Sequence, residues 1–451
     1  MKSVFVRNAI ALTALALIPA TTSALAVAEG TNYAALDEFM DVFQKVRSDY
    51  VDKVDDQKLI HGAISGMLSS LDPHSAYLDE NEYNNLAIKL EGSYGGLGLS
   101  VTTEDGVVKV IAPIEDSPGA RAGLKSGDYI THIDSELIYD VTLDEAVARM
   151  RGTAGTPIKL TIVRPGRDKP FDVDLVREKI DLKPVKWEVK DSVGIININE
   201  FSASTGDDVR MAIRGIDKAL GRRPTGYILD LRTNPGGILG EAVAVSDVFL
   251  DGGEVVSDRG RHKADIRRYY ANGGDDTKGA PVIVLIDSGS ASASEIVAGA
   301  LQDHHRALVM GERSFGKGSV QTVVPISATT GLKLTTSRYY TPSGRSIQEG
   351  GIKPDVRVPQ LSDPDYKTRP RIRESDLRRH LINEVKTADP ALLEDGKDDP
   401  RFAMTAEQLK AKGIEDFQLN YAVETIARLG KQPTKSAAAS TEALRKVATK
   451  K

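Results

Sequence analysis

The chain has no cysteine among its 451 residues. Disulfide staples, thiolate metal sites and a cysteine nucleophile are excluded by that absence alone. Histidine is scarce, with 7 residues, and none falls in the HExxH spacing that sets two metal ligands on one helix face. No metal and no other cofactor is expected. Excess positive charge is missing too: the formal net charge of −5 argues against a dedicated nucleic-acid binder, which is normally basic. Beyond the N-terminus no segment stays apolar long enough to cross a bilayer. What remains is ordinary for a soluble globular protein, 40% apolar and 27% charged. The length suits two or three domains, each with its own core.

The N-terminus reads as an address. Lys2 and Arg7 precede an apolar stretch over residues 9–20, and Ala24-Leu25-Ala26 or Ala26-Val27-Ala28 offers a small-x-small cleavage site. That is the pattern of a secretory signal peptide over residues 1–28, with an uncleaved anchor as the alternative. Export without cysteine fits a bacterial periplasm, where the chain is expected free or membrane-associated.

The rest divides by texture. Leu36, Phe39, Met40, Phe43, Val46 and Tyr50 make a helical stripe, and a second helix runs to Leu71-Asp72-Pro73, where proline stops it. With a helical stretch over 81–90, residues 31–91 read as a small helical domain for packing or dimerisation. His74, just after that proline, reads as a turn residue, with a catalytic base as the alternative. Residues 92–176 change to short strands and glycine turns, with one helix over 142–151 opened by a Thr142 cap and Glu145. From 183 to 360 strands alternate with helices, which argues an α/β core. Residues 361–451 are charged and helical, ending in a flexible tail from about 432.

Chemistry concentrates in two phrases of that core. The first is Ser290-Ala291-Ser292-Ala293-Ser294-Glu295-Ile296; the second, one helix and one strand later, is Ser314-Phe315-Gly316-Lys317-Gly318. Small residues beside a serine let a substrate backbone approach, and a lysine between glycines can be buried. Together they suggest a serine nucleophile with an amine as its base. An ordinary lysine, with a pKa near 10.4, is neutral in only roughly 1 in 2,500 molecules at pH 7. Burial penalises the ammonium form and brings the amine into a useful range. The residues alone do not separate Ser292 from Ser290. Ser314-Phe315-Gly316-Lys317 also spells SxxK, and Gly311 to Lys317 nearly completes a phosphate-binding loop, but Gly318 stands where its Ser or Thr belongs.

Residues 287–321 resemble the carboxyl-terminal processing (tail-specific) proteases, serine peptidases with a Ser/Lys dyad. Residues 92–176, with Gly96-Leu97-Gly98-Leu99 as carboxylate-binding loop, resemble a PDZ domain. The resemblance implies a mixed α/β fold: a crotonase/Clp-protease-like core with an inserted PDZ domain and helical N- and C-terminal segments. It implies Ser292 as nucleophile, Lys317 as base, Gln321 as the residue that orients Lys317, and Asp303 as a candidate third member. Asp303 lies three helical turns from Ser292, roughly 16 Å, too far to share one proton. The oxyanion donors are expected at Ala293 and in the Asn234-Pro235-Gly236-Gly237 loop, Gly237 rather than Gly236. The expected partners are proteins with accessible C-termini, an adaptor and further copies of the chain. A silent PDZ scaffold and an NTPase are the competing functions.

Overall fold

The computed structural model describes residues 30–262, 264–384 and 399–429. The expected signal peptide and the tail from 432 lie outside them. The chain forms two compact units, residues 1–66 and 67–451. The first holds helix Gly30–Asp49 and most of helix Asp56–Ser69. Its stripe residues Leu36, Phe39 and Met40 are exposed, at 57%, 42% and 47%. The division therefore falls earlier than residue 91. Strand Ala76–Leu78 pairs with Gly331–Tyr340 of the core, and helix Glu80–Glu91 goes with the second unit.

A six-stranded sheet is the centre of the second unit. Its order is Val185–Lys190, Val193–Ile198, Gly226–Asp230, Val282–Ile286, Leu308–Gly311 and Val356–Arg357. The first pair is antiparallel and the rest are parallel. The central strands read as continuous apolar runs because both of their faces are covered. Ile196, Leu229 and Val284 face helices Thr205–Leu220, Leu239–Phe249 and Ala293–Asp303. Ile195, Ile228 and Leu285 face the opposite layer, where Phe417, Tyr421 and Ile426 of helix Phe417–Leu429 are buried. This C-terminal helix thus spends its apolar face on the core sheet.

A second sheet brings strands Gly253–Arg259, Ile266–Ala271 and Ser319–Pro325 onto the long strand Gly331–Tyr340. The inserted domain has its own sheet and a separate core around Val110, Ile130, Leu160 and Ile162. Thr142 caps its helix Leu143–Met150, accepting the Glu145 N–H at 3.2 Å. A two-stranded ribbon, Ser93–Gly96 with Glu178–Asp181, carries both chain crossings between this domain and the main core.

Candidate active site

Strand Val282–Ile286 ends at the C-terminal edge of a parallel sheet, and helix Ala293–Asp303 begins a few residues later. The chain turns between them at Ser292, whose φ of 55° and ψ of −112° put a non-glycine residue in left-handed backbone. Such a conformation costs about 1–3 kcal/mol and persists only where surroundings impose it. Three hydrogen bonds impose it here. Ser290 Oγ donates to the Leu231 carbonyl (2.8 Å), Ser294 Oγ donates to the Asn234 carbonyl (2.9 Å), and the Ser292 N–H donates to Glu295 Oε2 (2.8 Å). The three serines thereby differ in their surroundings. Ser290 and Ser294 are fully buried and spend their hydroxyls on backbone, whereas the Ser292 hydroxyl has no partner among the described residues.

Glu295 was not anticipated as a site residue. It is completely buried, and four donors converge on its carboxylate. Oε1 accepts from Ser314 Oγ (2.6 Å) and the Gly316 N–H (2.7 Å); Oε2 accepts from the Ser292 N–H (2.8 Å) and the Lys317 N–H (2.9 Å). One oxygen therefore touches the backbone of both Ser292 and Lys317. Burial pushes the Glu295 pKa up to about 7 against the pull of these donors. A sequence signal existed: a glutamate three residues past a helix-opening serine is a capping pattern.

This carboxylate also settles two competing readings. The glycine turn that resembled a phosphate cradle already holds an anion, and the residues after it form strand Ser319–Pro325 rather than a helix. Ser314, the SxxK serine, donates to Glu295 and accepts the Ile352 N–H at 2.6 Å, so its hydroxyl is committed.

Lys317 has no ion-pair or hydrogen-bond partner for its amine among the described residues. Burial holds its pKa below the ordinary lysine range, and the nearby Lys333 ammonium pushes it further down. Glu374, Glu295 and Asp72 pull the other way, more weakly. No hydrogen bond joins the Ser292 hydroxyl to the amine in this structure. Gln321 donates to Ser319 Oγ (3.0 Å) and Thr335 Oγ1 (3.3 Å), and it does not bond the Lys317 amine.

Asp303 is not brought to either group. It sits at the far end of the nucleophile helix, where it accepts the Ser343 N–H (3.0 Å) and pairs with Arg345 (3.3 Å). There it anchors the 343–345 turn, and helix rise separates it from Ser292.

The loop of the expected oxyanion donors lies against the start of helix Ala293–Asp303. Asn234 donates to the Ile198 carbonyl (2.7 Å) and accepts the Gly236 N–H (2.9 Å), so Gly236 has no donor to offer. The N–H groups of Gly237 and Ala293 have no partner among the described residues. A Cβ on Gly236 would stand 2.8 Å from Ser292 Cβ and 2.9 Å from the Ala293 nitrogen, which shows how closely loop and helix start approach. Gly237 has φ 147° and lies against the Phe201 carbonyl, leaving no space for a side chain. A helix N-terminus adds its own preference for negative charge at Ala293.

In the inserted domain, the Leu97 and Gly98 N–H groups likewise have no partner among the described residues. Their carbonyls are held by the Gly119 and Ile114 N–H groups at 2.9 and 2.7 Å. The loop borders a cavity of about 220 Å³ lined by Tyr94, Gly96, Leu97, Gly98, Leu99, Val147 and Arg151 among others.

Comparison with known proteins gives the family. Residues 192–358 match the model of peptidase family S41, residues 109–164 match a PDZ domain, and residues 17–82 match the N-terminal domain of the activating protease CtpB. A carboxy-terminal-processing protease of Bartonella bacilliformis is 50% identical over 358 residues, covering 78% of this chain and 82% of the relative. The carboxy-terminal processing protease CtpB of Bacillus subtilis is 36% identical over 356 residues, 78% and 72% of the two chains. Among solved structures, a photosystem II D1 C-terminal processing protease is 30% identical with a TM-score of 0.41, covering 71% of this chain and 92% of that one. A serine held in a strained turn, a half-buried lysine on the same carboxylate clamp and a relative 50% identical over most of both chains lead to one conclusion: the chain is a serine peptidase and belongs to peptidase family S41, among the carboxy-terminal processing proteases.

Proposed function

We propose that the chain takes the free C-terminus of a protein into the 220 Å³ cavity of its PDZ domain and cuts the polypeptide at Ser292. The Leu97 and Gly98 N–H groups meet the terminal carboxylate, and strand Leu99–Glu104 receives the peptide as an added strand. The Lys317 amine takes the Ser292 hydroxyl proton as the oxygen attacks the scissile carbonyl. The Gly237 and Ala293 N–H groups meet the developing oxyanion, as fixed donors that need no reorganisation. The new ammonium returns its proton to the leaving amine nitrogen, and water, deprotonated by the same lysine, releases the acyl group. Rotation of the lysine stem closes the gap to Ser292, and Gln321 steadies the amine in that state with the carbonyl oxygen it has not spent.

One observation carries this reading: Glu295 Oε2 ties the backbones of Ser292 and Lys317 together while both of their side chains stay unpartnered. Ser292→Ala and Lys317→Arg are the test. Both variants should fold by circular dichroism and fail to degrade β-casein, since a guanidinium stays charged and cannot act as a base. Proteolysis retained in Lys317→Arg would sink the assignment.

The same proposal places the protein in a bacterial periplasm, exported by residues 1–28, free or membrane-associated. A mature N-terminus near residue 29, found by N-terminal sequencing of exported protein, supports cleavage. An intact leader supports an anchor. The exposed stripe of Leu36, Phe39 and Met40 is the surface we assign to self-association or to an adaptor. Sedimentation of Phe39→Asp beside the parent checks it.

A further inference from the structure

The phrase Leu71-Asp72-Pro73-His74-Ser75 forms a turn beside the lysine loop. Asp72 accepts the His74 N–H (2.8 Å), the Ser75 N–H (2.9 Å) and the Ser75 hydroxyl (2.7 Å). The turn delivers the His74 ring to Glu374, where Nε2 lies 2.9 and 2.8 Å from the two carboxylate oxygens. Glu374 is fully buried.

Glu374 in turn holds the chain on both sides of Lys317. Its N–H donates to the Phe315 carbonyl (3.1 Å). Its carboxylate accepts from Gln348 Nε2 (3.1 Å), and Gln348 Oε1 accepts the Gly318 N–H (3.0 Å). The arrangement positions the base, but it also sets a buried carboxylate where an uncharged amine is needed. An anion nearby favours ammonium. Four charged groups act on Lys317: Lys333 from strand Gly331–Tyr340, Glu374 from the short helix Glu374–Asp376, Glu295 from the nucleophile helix, and Asp72 from the turn. Among the three anions Glu374 acts most strongly. His380 also senses Glu374, and it is tied to Glu349 at 2.8 Å.

We propose that His74 is a positioning residue of the dyad: its pairing with Glu374 masks that buried carboxylate from Lys317 while keeping the lysine loop in place. The turn thereby acquires a role beyond ending a helix. The inference rests on Lys317 being the general base.

The test is kcat/KM against pH for the full-length chain with a fluorogenic peptide ending in a free carboxylate. The panel is wild type, His74→Gln, Glu374→Gln, the double variant and Lys317→Ala. The acid limb of that profile reports the base of the free enzyme. Unmasking the carboxylate in His74→Gln should move the limb up by about one pH unit, and removing its charge in Glu374→Gln should move it down. The double variant should return towards wild type, because the two substitutions change the surroundings of Lys317 in opposite directions. A limb that stays fixed in every variant, while turnover or stability falls, means that His74 is a turn residue only and overturns the proposal. Should His74→Gln fail to fold, His74→Asn takes its place: a limb at higher pH supports masking, and an unmoved one refutes it. Activity in Lys317→Ala would instead overturn the dyad itself, so the two failures are distinguishable.

Discussion

Four donors converge on the Glu295 carboxylate and favour its ionised form, whereas complete burial opposes that charge and lifts its pKa from the ordinary 4.5 to about 7. The folded chain therefore holds this proton more tightly than the unfolded chain does. Its contribution to stability is full below about pH 4.5 and is lost as the pH rises through about 7, on the order of 3 kcal/mol in all. Glu295→Gln cannot ionise and lacks this dependence. Thermal melts should show the wild type's advantage over Glu295→Gln to be larger at pH 5 than at pH 8; an advantage growing with pH would contradict the raised pKa. The same variant should lose at least about tenfold in kcat, because an amide presents its own donors to N–H groups that need an acceptor. Residues of this kind were only partly legible in the sequence. Three serines looked alike until the structure showed where two hydroxyls go. Glu374, Lys333 and Asp72 meet Lys317 only through folding, and no spacing along the chain announces it.

At the scale of elements, the loop of Asn234 to Gly237 is set by one buried side chain and two glycines. Gly237 combines positive φ with backbone contact to Phe201. Gly237→Ala should displace the N–H from the oxyanion and lower kcat by about 10²- to 10³-fold with little change in KM. Steady-state kinetics on a peptide would show it, and an unchanged kcat would remove Gly237 from the oxyanion role. Elements with strong patterns were the readable ones. Val282–Ile286 is an uninterrupted apolar run, and Leu239–Phe249 follows a glycine loop. The hairpin of Gly253–Arg259 and Ile266–Ala271 gave no such sign: most of Ile266–Ala271 is exposed and arginine-rich, so neither alternation nor an apolar run marks it. Residues 71–78 looked like the end of a helical domain but supply a strand and a turn to the core, a role decided by partners more than 250 positions away.

For the whole molecule, a peptide-binding cavity and a cutting site share one chain, joined by the two-stranded ribbon of Ser93–Gly96 and Glu178–Asp181. In the proposed function the Leu97 and Gly98 N–H groups receive a charged carboxylate. A peptide substrate with an amidated C-terminus should therefore show a KM raised about tenfold or more, since a charge-assisted bond is lost at each N–H. Equal kinetics for the acid and the amide would separate the cavity from substrate selection. The state of one amine underlies all of this, and it is directly observable. Lysine side-chain NMR of Ser292→Ala, titrated with a peptide bound, should show one resonance, absent in Lys317→Arg, that titrates well below the ordinary lysine value near 10.4. A Lys317 signal titrating at or above that value in the complex would contradict the account.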